Sequence, residues 1–283
     1  MKTVHIDRSN KVAYAVGAPD GYTAEEYGAI RGSASMYVFA ARAVFQGDAI
    51  QLAREIAGPR QLLVHHNLLH GRLPGYSTPW VFDDEKRAFT DHAIALNTEG
   101  EPAIRFKNKN AGEHQYHVNA TGLDPALYAK FIAEWVGRTD VDGVLIDNLV
   151  ERPWTYPEDP ALPFENVGGP LWQSYQVAFV WHLRSLLGPG AVILANGRWA
   201  MEEPALVSDA LLSGVFWERC GTHWWSPQRA AGLMHYNRAG IHVYDGRPGS
   251  KGRAWDMPQF SQTMAIVNDQ YAVVGPGHGE VLV

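Results

Sequence analysis

The sequence predicts a single closed α/β barrel of eight parallel strands. Two observations carry this expectation. The chain has 283 residues, and one barrel of this kind typically needs about 250. From residue 34 onward, short β-rich runs alternate with amphipathic stretches of helical period, the pattern of a parallel sheet covered by helices.

In chain order the strand candidates are 35–41 (SMYVFAA), 60–67 (RQLLVHHN), 114–120 (HQYHVNA) and 141–148 (VDGVLIDN). Four more follow at 191–197 (AVILANG), 213–219 (SGVFWER), 241–246 (IHVYDG) and 270–275 (QYAVVG). A first helix is expected over 48–56. A second opens at Asp124-Pro125, an acidic N-cap followed by Pro at the first helical position, and puts Leu127, Phe131, Ile132 and Trp135 on one face. A longer helix over roughly 170–187 closes at Gly188-Pro189, and one over 227–240 ends on Gly240 just before a strand. Eight strands with interposed helices make a (β/α)8 TIM barrel, with an open doubly wound sheet as the alternative. Two stretches stand outside the repeat. Residues 1–33 read as an N-terminal extension with a hairpin around Ser9-Asn10. Residues 68–113 read as a Gly/Pro- and charge-rich excursion between strands 2 and 3 that shapes the cleft, with a further hairpin around Glu99-Gly100. All of this belongs to one domain, 1–283.

Composition narrows the partners. The formal net charge is −6 and no run of Lys or Arg is present, which argues against nucleic acid or an anionic membrane. Cys220 is the one cysteine, so no internal disulfide can form, and a buried structural thiol is its expected role. The opening MKTVHIDRSNKV carries charges where an export signal needs an apolar run, and a soluble protein without such a signal is expected.

In a barrel of this type, chemistry belongs at the C-terminal ends of the strands. Asp147 ends the fourth candidate strand and Glu218 ends the sixth. Both strands are even-numbered, so their inward residues can share a layer. Alternation pairs Leu145 with Asp147 on one face and Phe216 with Glu218 on another. Alternate strands lie about 9–10 Å apart, so two inward carboxylates come within about 5–6 Å. Asn119, Asn196 and Asp245 occupy similar rim positions, and Tyr244, Trp199 and Trp224 offer flat faces. Arg198 is a candidate anion contact. His65 and His66 face opposite sides of their strand, so one at most points inward; His66 is counted among the cleft candidates. No H-E-x-x-H or H-x-H spacing is present, and neither a metal nor a cofactor is expected.

The run HVNATGLDPALYAKFIAEWVGRTDVDGVLIDNL, with its strand reading D-G-V-x-x-D at Asp142–Asp147, and the run LLSGVFWER, with G-V-x-x-E ending at Glu218, resemble a pattern shared by several glycosidase barrels. Among these are the endo-α-1,4-polygalactosaminidase-type barrels and the hypothetical glycosyl hydrolase families grouped with them. The resemblance covers roughly residues 115–275. It implies Asp147 as nucleophile, Glu218 as acid/base, and retaining cleavage of α-linked sugars, with a poly- or oligosaccharide as partner. A protein carried on a phage particle or released by lysis would reach such a substrate without an export signal.

Two other readings fit the same barrel. One is a carbohydrate-binding barrel without catalysis, which would need neither the Asp nor the Glu. The other is a metal-dependent hydrolase or an aldolase; a Schiff-base aldolase needs an inward Lys, and the strand cores contain none. GPGHGE at 275–280 is followed by no clear helix, as a phosphate loop would require.

Overall fold

The computed structural model describes residues 11–15, 31, 34–41, 48–72, 81–96, 99–102, 104–108, 113–119, 122–149, 170–196, 211–217, 241–244 and 271–274. Eight strands close on themselves in a parallel barrel: β1 (Lys11–Ala15), β2 (Met36–Ala40), β3 (Gln61–Asn67), β7 (Gly143–Asp147), β8 (Val192–Asn196), β9 (Gly214–Trp217), β10 (Ile241–Tyr244) and β11 (Tyr271–Val274). Three further strands, β4 (His70–Arg72), β5 (Ile104–Asn108) and β6 (Glu113–His117), form a separate antiparallel sheet in the order β4-β6-β5. The described helices are α1 (Ala49–Ala57), α2 (Val81–Thr90), α3 (Pro125–Gly137) and α4 (Pro170–Leu187).

Two expectations are corrected here. Lys11–Ala15 is not part of an extension: it pairs in parallel with both β2 and β11 and closes the barrel. Residues 113–117 are not a barrel strand, because they pair antiparallel with β4 and β5. The excursion therefore lies between the third and fourth barrel strands, and it contains helix α2. The turn expected around Glu99-Gly100 is present, with Gly100 at φ 79° and an antiparallel bridge between Leu96 and Pro102. The helix expected over 227–240 lies outside the described residues.

Local chemistry accounts for the helix ends. Asp124 caps α3 by accepting from Ala126 N at 2.7 Å and Leu127 N at 3.1 Å, ahead of Pro125. Beyond α4, Gly188 takes φ 79°, a left-handed conformation open to glycine, and returns its N–H to Arg184 O at 2.9 Å. Arg184 then donates to the carbonyls of Leu211, Gly188 and Ala191 and to Ser213 Oγ, tying α4 to the lower ends of β8 and β9.

The barrel interior is layered. Followed from strand to strand, the register returns to β1 eight residues lower, the stagger of an eight-stranded barrel of this class. Residues level with one another therefore climb one position per strand. Val12, Leu63, Leu194 and Val243, from β1, β3, β8 and β10, form one buried layer. Val38, Leu145 and Phe216, from β2, β7 and β9, lie in the next layer up. The outward faces of the same strands carry Tyr37, Phe39, Leu62, Val64, Val144, Ile146, Ile193, Ala195 and Val215, buried beneath helices. Among the described residues no helix is long and apolar enough to cross a membrane.

Candidate active site

Above the two apolar layers the interior turns polar. The next level upward holds His65 on β3 and Asn196 on β8, and the level above that holds Asp147 on β7. Asn67, Asp147 and Asn196 stand in register across β3, β7 and β8. They close these strands at their C-terminal ends.

Asp147 is the centre of the cluster. Its Oδ1 accepts from the backbone N–H of Asn148 at 2.9 Å and from Asn196 Nδ2 at 2.9 Å. Its Oδ2 accepts from Asn67 Nδ2 at 3.1 Å and Asn148 Nδ2 at 3.3 Å, with His65 Nε2 at 3.4 Å. The side chain is 21% exposed, so the carboxylate is sheltered yet reachable. This many donors suit an anion and fix the plane of the carboxylate.

Each donor is held in turn. Asn67 Oδ1 accepts from Leu69 N at 3.1 Å, which aims its Nδ2 at Asp147. Asn148 has φ 65°, the left-handed region that Asn tolerates better than most residues. That conformation ends the strand and brings both the main-chain and side-chain N–H groups of Asn148 to the carboxylate. The strand tops are also joined through the main chain, Leu68 N to Asp147 O and Leu149 N to Asn196 O, both at 3.0 Å.

The two adjacent histidines have different surroundings. His65 shares the inward face with Leu63 and Asn67. His66 points outward and is 2% exposed, packed edge-on against Phe82 and Tyr128, with its Nε2 3.3 Å from the Tyr128 hydroxyl. Burial drives its pKa well below the usual histidine value, helped by Lys86 and His65. Strand alternation thus turns His66, expected in the cleft, away from the barrel interior and brings His65 to Asp147 instead.

Of the other expected site residues, Asn196 is brought onto Asp147. Asn119 is not at a barrel strand end: its N–H donates to Ala93 O at 2.7 Å, within the excursion. Tyr244 ends β10, where it pairs with Trp217 and Ala272. Glu218, Arg198, Trp199, Trp224 and Asp245 lie outside the described residues. Sequence reasoning did not single out His65, Asn67 or Asn148 for the site. Alternation downward from Asn67 through His65 to Leu63 was the available signal for the first two. Among the described residues no group of three or more His, Cys, Asp and Glu is placed to hold a metal ion.

No family model matches the chain, and no curated protein matches it significantly. Solved structures do. An α-L-fucosidase from Paenibacillus thiaminolyticus is 12% identical over 95% of this chain and 46% of its own, with a TM-score of 0.59. An α-galactosidase from Thermus thermophilus in complex with stachyose is 14% identical over 96% of this chain and 62% of its own, at 0.52. Morphinone reductase in complex with tetrahydroNAD is 14% identical over 95% of this chain and 82% of its own, at 0.54. The chain spans less than two thirds of the length of the two glycosidases. At such identities the shared property is the fold, an α/β architecture built around a parallel sheet.

Proposed function

We propose that the chain is a retaining glycoside hydrolase in which Asp147 is the nucleophile and Glu218 the acid/base. It would be built on a full (β/α)8 frame and act on α-linked oligo- or polysaccharides. One observation carries the reading: a carboxylate at the C-terminal mouth of a parallel barrel, gripped by Asn67, Asn148 and Asn196 and left partly open. The stagger adds support. Asn196 is in register with Phe216, and Phe216 faces the barrel interior. If β9 ran on with the same alternation, the inward position level with Asp147, two strands from β7, would fall two residues beyond Phe216, the sequence position of Glu218. Carboxylates on alternate strands at one level suit the about 5–5.5 Å separation of a retaining pair.

In the proposed reaction Asp147 attacks the anomeric carbon as the glycosidic bond breaks. The Glu218 carboxylic acid gives its proton to the departing oxygen. Glu218, now a carboxylate, takes a proton from water, and the resulting attack on the glycosyl ester releases Asp147 and a sugar of unchanged anomeric configuration. His65 and Asn196 lie directly beneath the carboxylate and would contact the sugar hydroxyls. Trp199, Trp224, Tyr244, Asp245 and Arg198 remain proposed cleft residues. The fold leaves the chemistry open, since a reductase shares it; the residues at the mouth carry the proposal.

The test uses aryl α-glycosides with azide. Glu218→Ala is expected to keep activity on good leaving groups and to yield a glycosyl azide of retained configuration. Asp147→Ala is expected to lose hydrolysis of every substrate, and any glycosyl azide it forms is expected to have inverted configuration. An inverted azide from Glu218→Ala, or a retained one from Asp147→Ala, overturns the assignment.

A further inference from the structure

We propose that Lys86, on helix α2 of the excursion, is a positioning residue for Asp147 that acts through Asn67. The inference rests on Asp147 being the working carboxylate, but its structural half can be tested alone. Lys86 is 2% exposed, and its Nζ donates to the main-chain carbonyl of Asn67 at 2.5 Å. An ammonium enters a protein interior only against a large loss of hydration, so its place there calls for a specific partner. One such partner is the last residue of β3, the one whose Nδ2 holds Asp147 Oδ2.

The surrounding bonds turn this contact into a lever. Asn67, Leu68 and Leu69 leave the barrel as a short junction. On the barrel side, Asn67 Nδ2 and Leu68 N donate to the side chain and main chain of Asp147. On the excursion side, Lys86 holds Asn67 O, the Tyr128 hydroxyl of α3 donates to Leu68 O at 2.9 Å, and Val118 N donates to Leu69 O at 2.7 Å. Leu69 N closes the loop by donating to Asn67 Oδ1, setting the direction of the same amide that meets Asp147. Lys86 thus contributes a charged hydrogen bond at the hinge of this junction, the strongest type available to it. Its charge also bears on neighbouring His66, where it adds to the effect of burial in keeping the imidazole neutral. The excursion thereby reaches the site without lining it: the docking of α2 on the barrel fixes the angle of Asn67, and Asn67 fixes the carboxylate.

The experiment compares wild type with Lys86→Met, which keeps the apolar stem, and Lys86→Arg, which keeps the charge. In Lys86→Met the Asn67 side-chain amide signals, assigned by their loss in Asn67→Ala, are expected to shift while the rest of the spectrum stays folded. On an aryl glycoside turned over by the wild type, kcat is expected to fall by about a hundredfold with KM little changed, since small misplacements of a reacting group are that costly. Lys86→Arg should recover part of kcat. Unmoved Asn67 signals overturn the inference whether or not any glycoside is cleaved. So does a kcat that Lys86→Met leaves intact. A wild type that cleaves nothing sinks the glycosidase reading, yet displaced Asn67 signals would still uphold the link. If Lys86→Met fails to fold, Lys86→Arg carries the test, because the larger cation must also displace those signals.

Discussion

Two carboxylates mark the ends of β7, five residues apart, and their surroundings differ. At the lower end Asp142 lies 3.3 Å from Arg54 Nη1 and accepts from Leu62 N at 2.8 Å. Arg54 reaches it from α1 and also bonds Asp140, so this carboxylate joins a helix to two strands. At the upper end Asp147 is met by amide N–H groups and an imidazole. The lower carboxylate is neutralised by a guanidinium and does structural work. The upper one is oriented by side chains that have their own supports, as a reacting or ligand-binding group needs. The D-G-V-x-x-D string therefore contains two acids with different surroundings.

Neutralising each acid in turn should separate the two. Asp147→Asn is expected to reduce turnover by on the order of 10⁴-fold, as removal of a central catalytic group does. Its urea midpoint should change little, because the amide can keep some of the same partners. Asp142→Asn should do the reverse, leaving turnover intact and lowering stability by about 1–2 kcal/mol, since the pair with Arg54 is partly exposed. Urea melts and initial rates on the same samples check both. A large activity loss in Asp142→Asn would erase the distinction.

A smaller effect is expected from the second ring. Asn196→Ala removes one donor to Asp147 Oδ1 at 2.9 Å, and a lost preorganised donor costs about 10²-fold in kcat. The loss should appear in kcat more than in KM. An unchanged kcat would mean that Asn148 and Asn67 orient the carboxylate without Asn196.

Much of the barrel was legible in the sequence, and part of what was misread cancelled out. The rank of Asp147 as the end of the fourth barrel strand holds because Lys11–Ala15, read as part of a hairpin extension, joins the barrel while 114–120, read as a barrel strand, leaves it. Alternation in HQYHVNA announces a strand, but it carries no information about the partner. The antiparallel sheet of the excursion claimed it. The same limit applied to His65 and His66. Alternation says that they diverge, while the phase is decided by the packing of Leu63 with Leu145 and Leu194 inside the barrel. In a strand that continued past Asp147, alternation would turn Asn148 away; its positive φ ends the strand and turns it back. Helix starts were easier, since Asp124-Pro125 acts through bonds within a few residues of sequence.

A still smaller effect is expected from pH. His66 sits in the outer core with a pKa well below 6.5, so it folds neutral. In the unfolded chain it takes up a proton near its ordinary value. Below about pH 6.5 the unfolded state therefore binds more protons than the folded one, and stability must fall as pH falls. The slope from one such group is at most about 1.4 kcal/mol per pH unit, so about 1 kcal/mol should be lost between pH 7.5 and 5.5. His66→Gln keeps a polar group near the Tyr128 hydroxyl and removes the titration. Urea midpoints at the two pH values are expected to converge in this variant by about that amount, relative to wild type. The pH profile of turnover should not move, because His66 faces away from Asp147. A His66→Gln protein with unaltered pH dependence of stability would mean that the buried imidazole is protonated in the folded chain. A shifted activity profile would mean that the outward face of β3 communicates with the site.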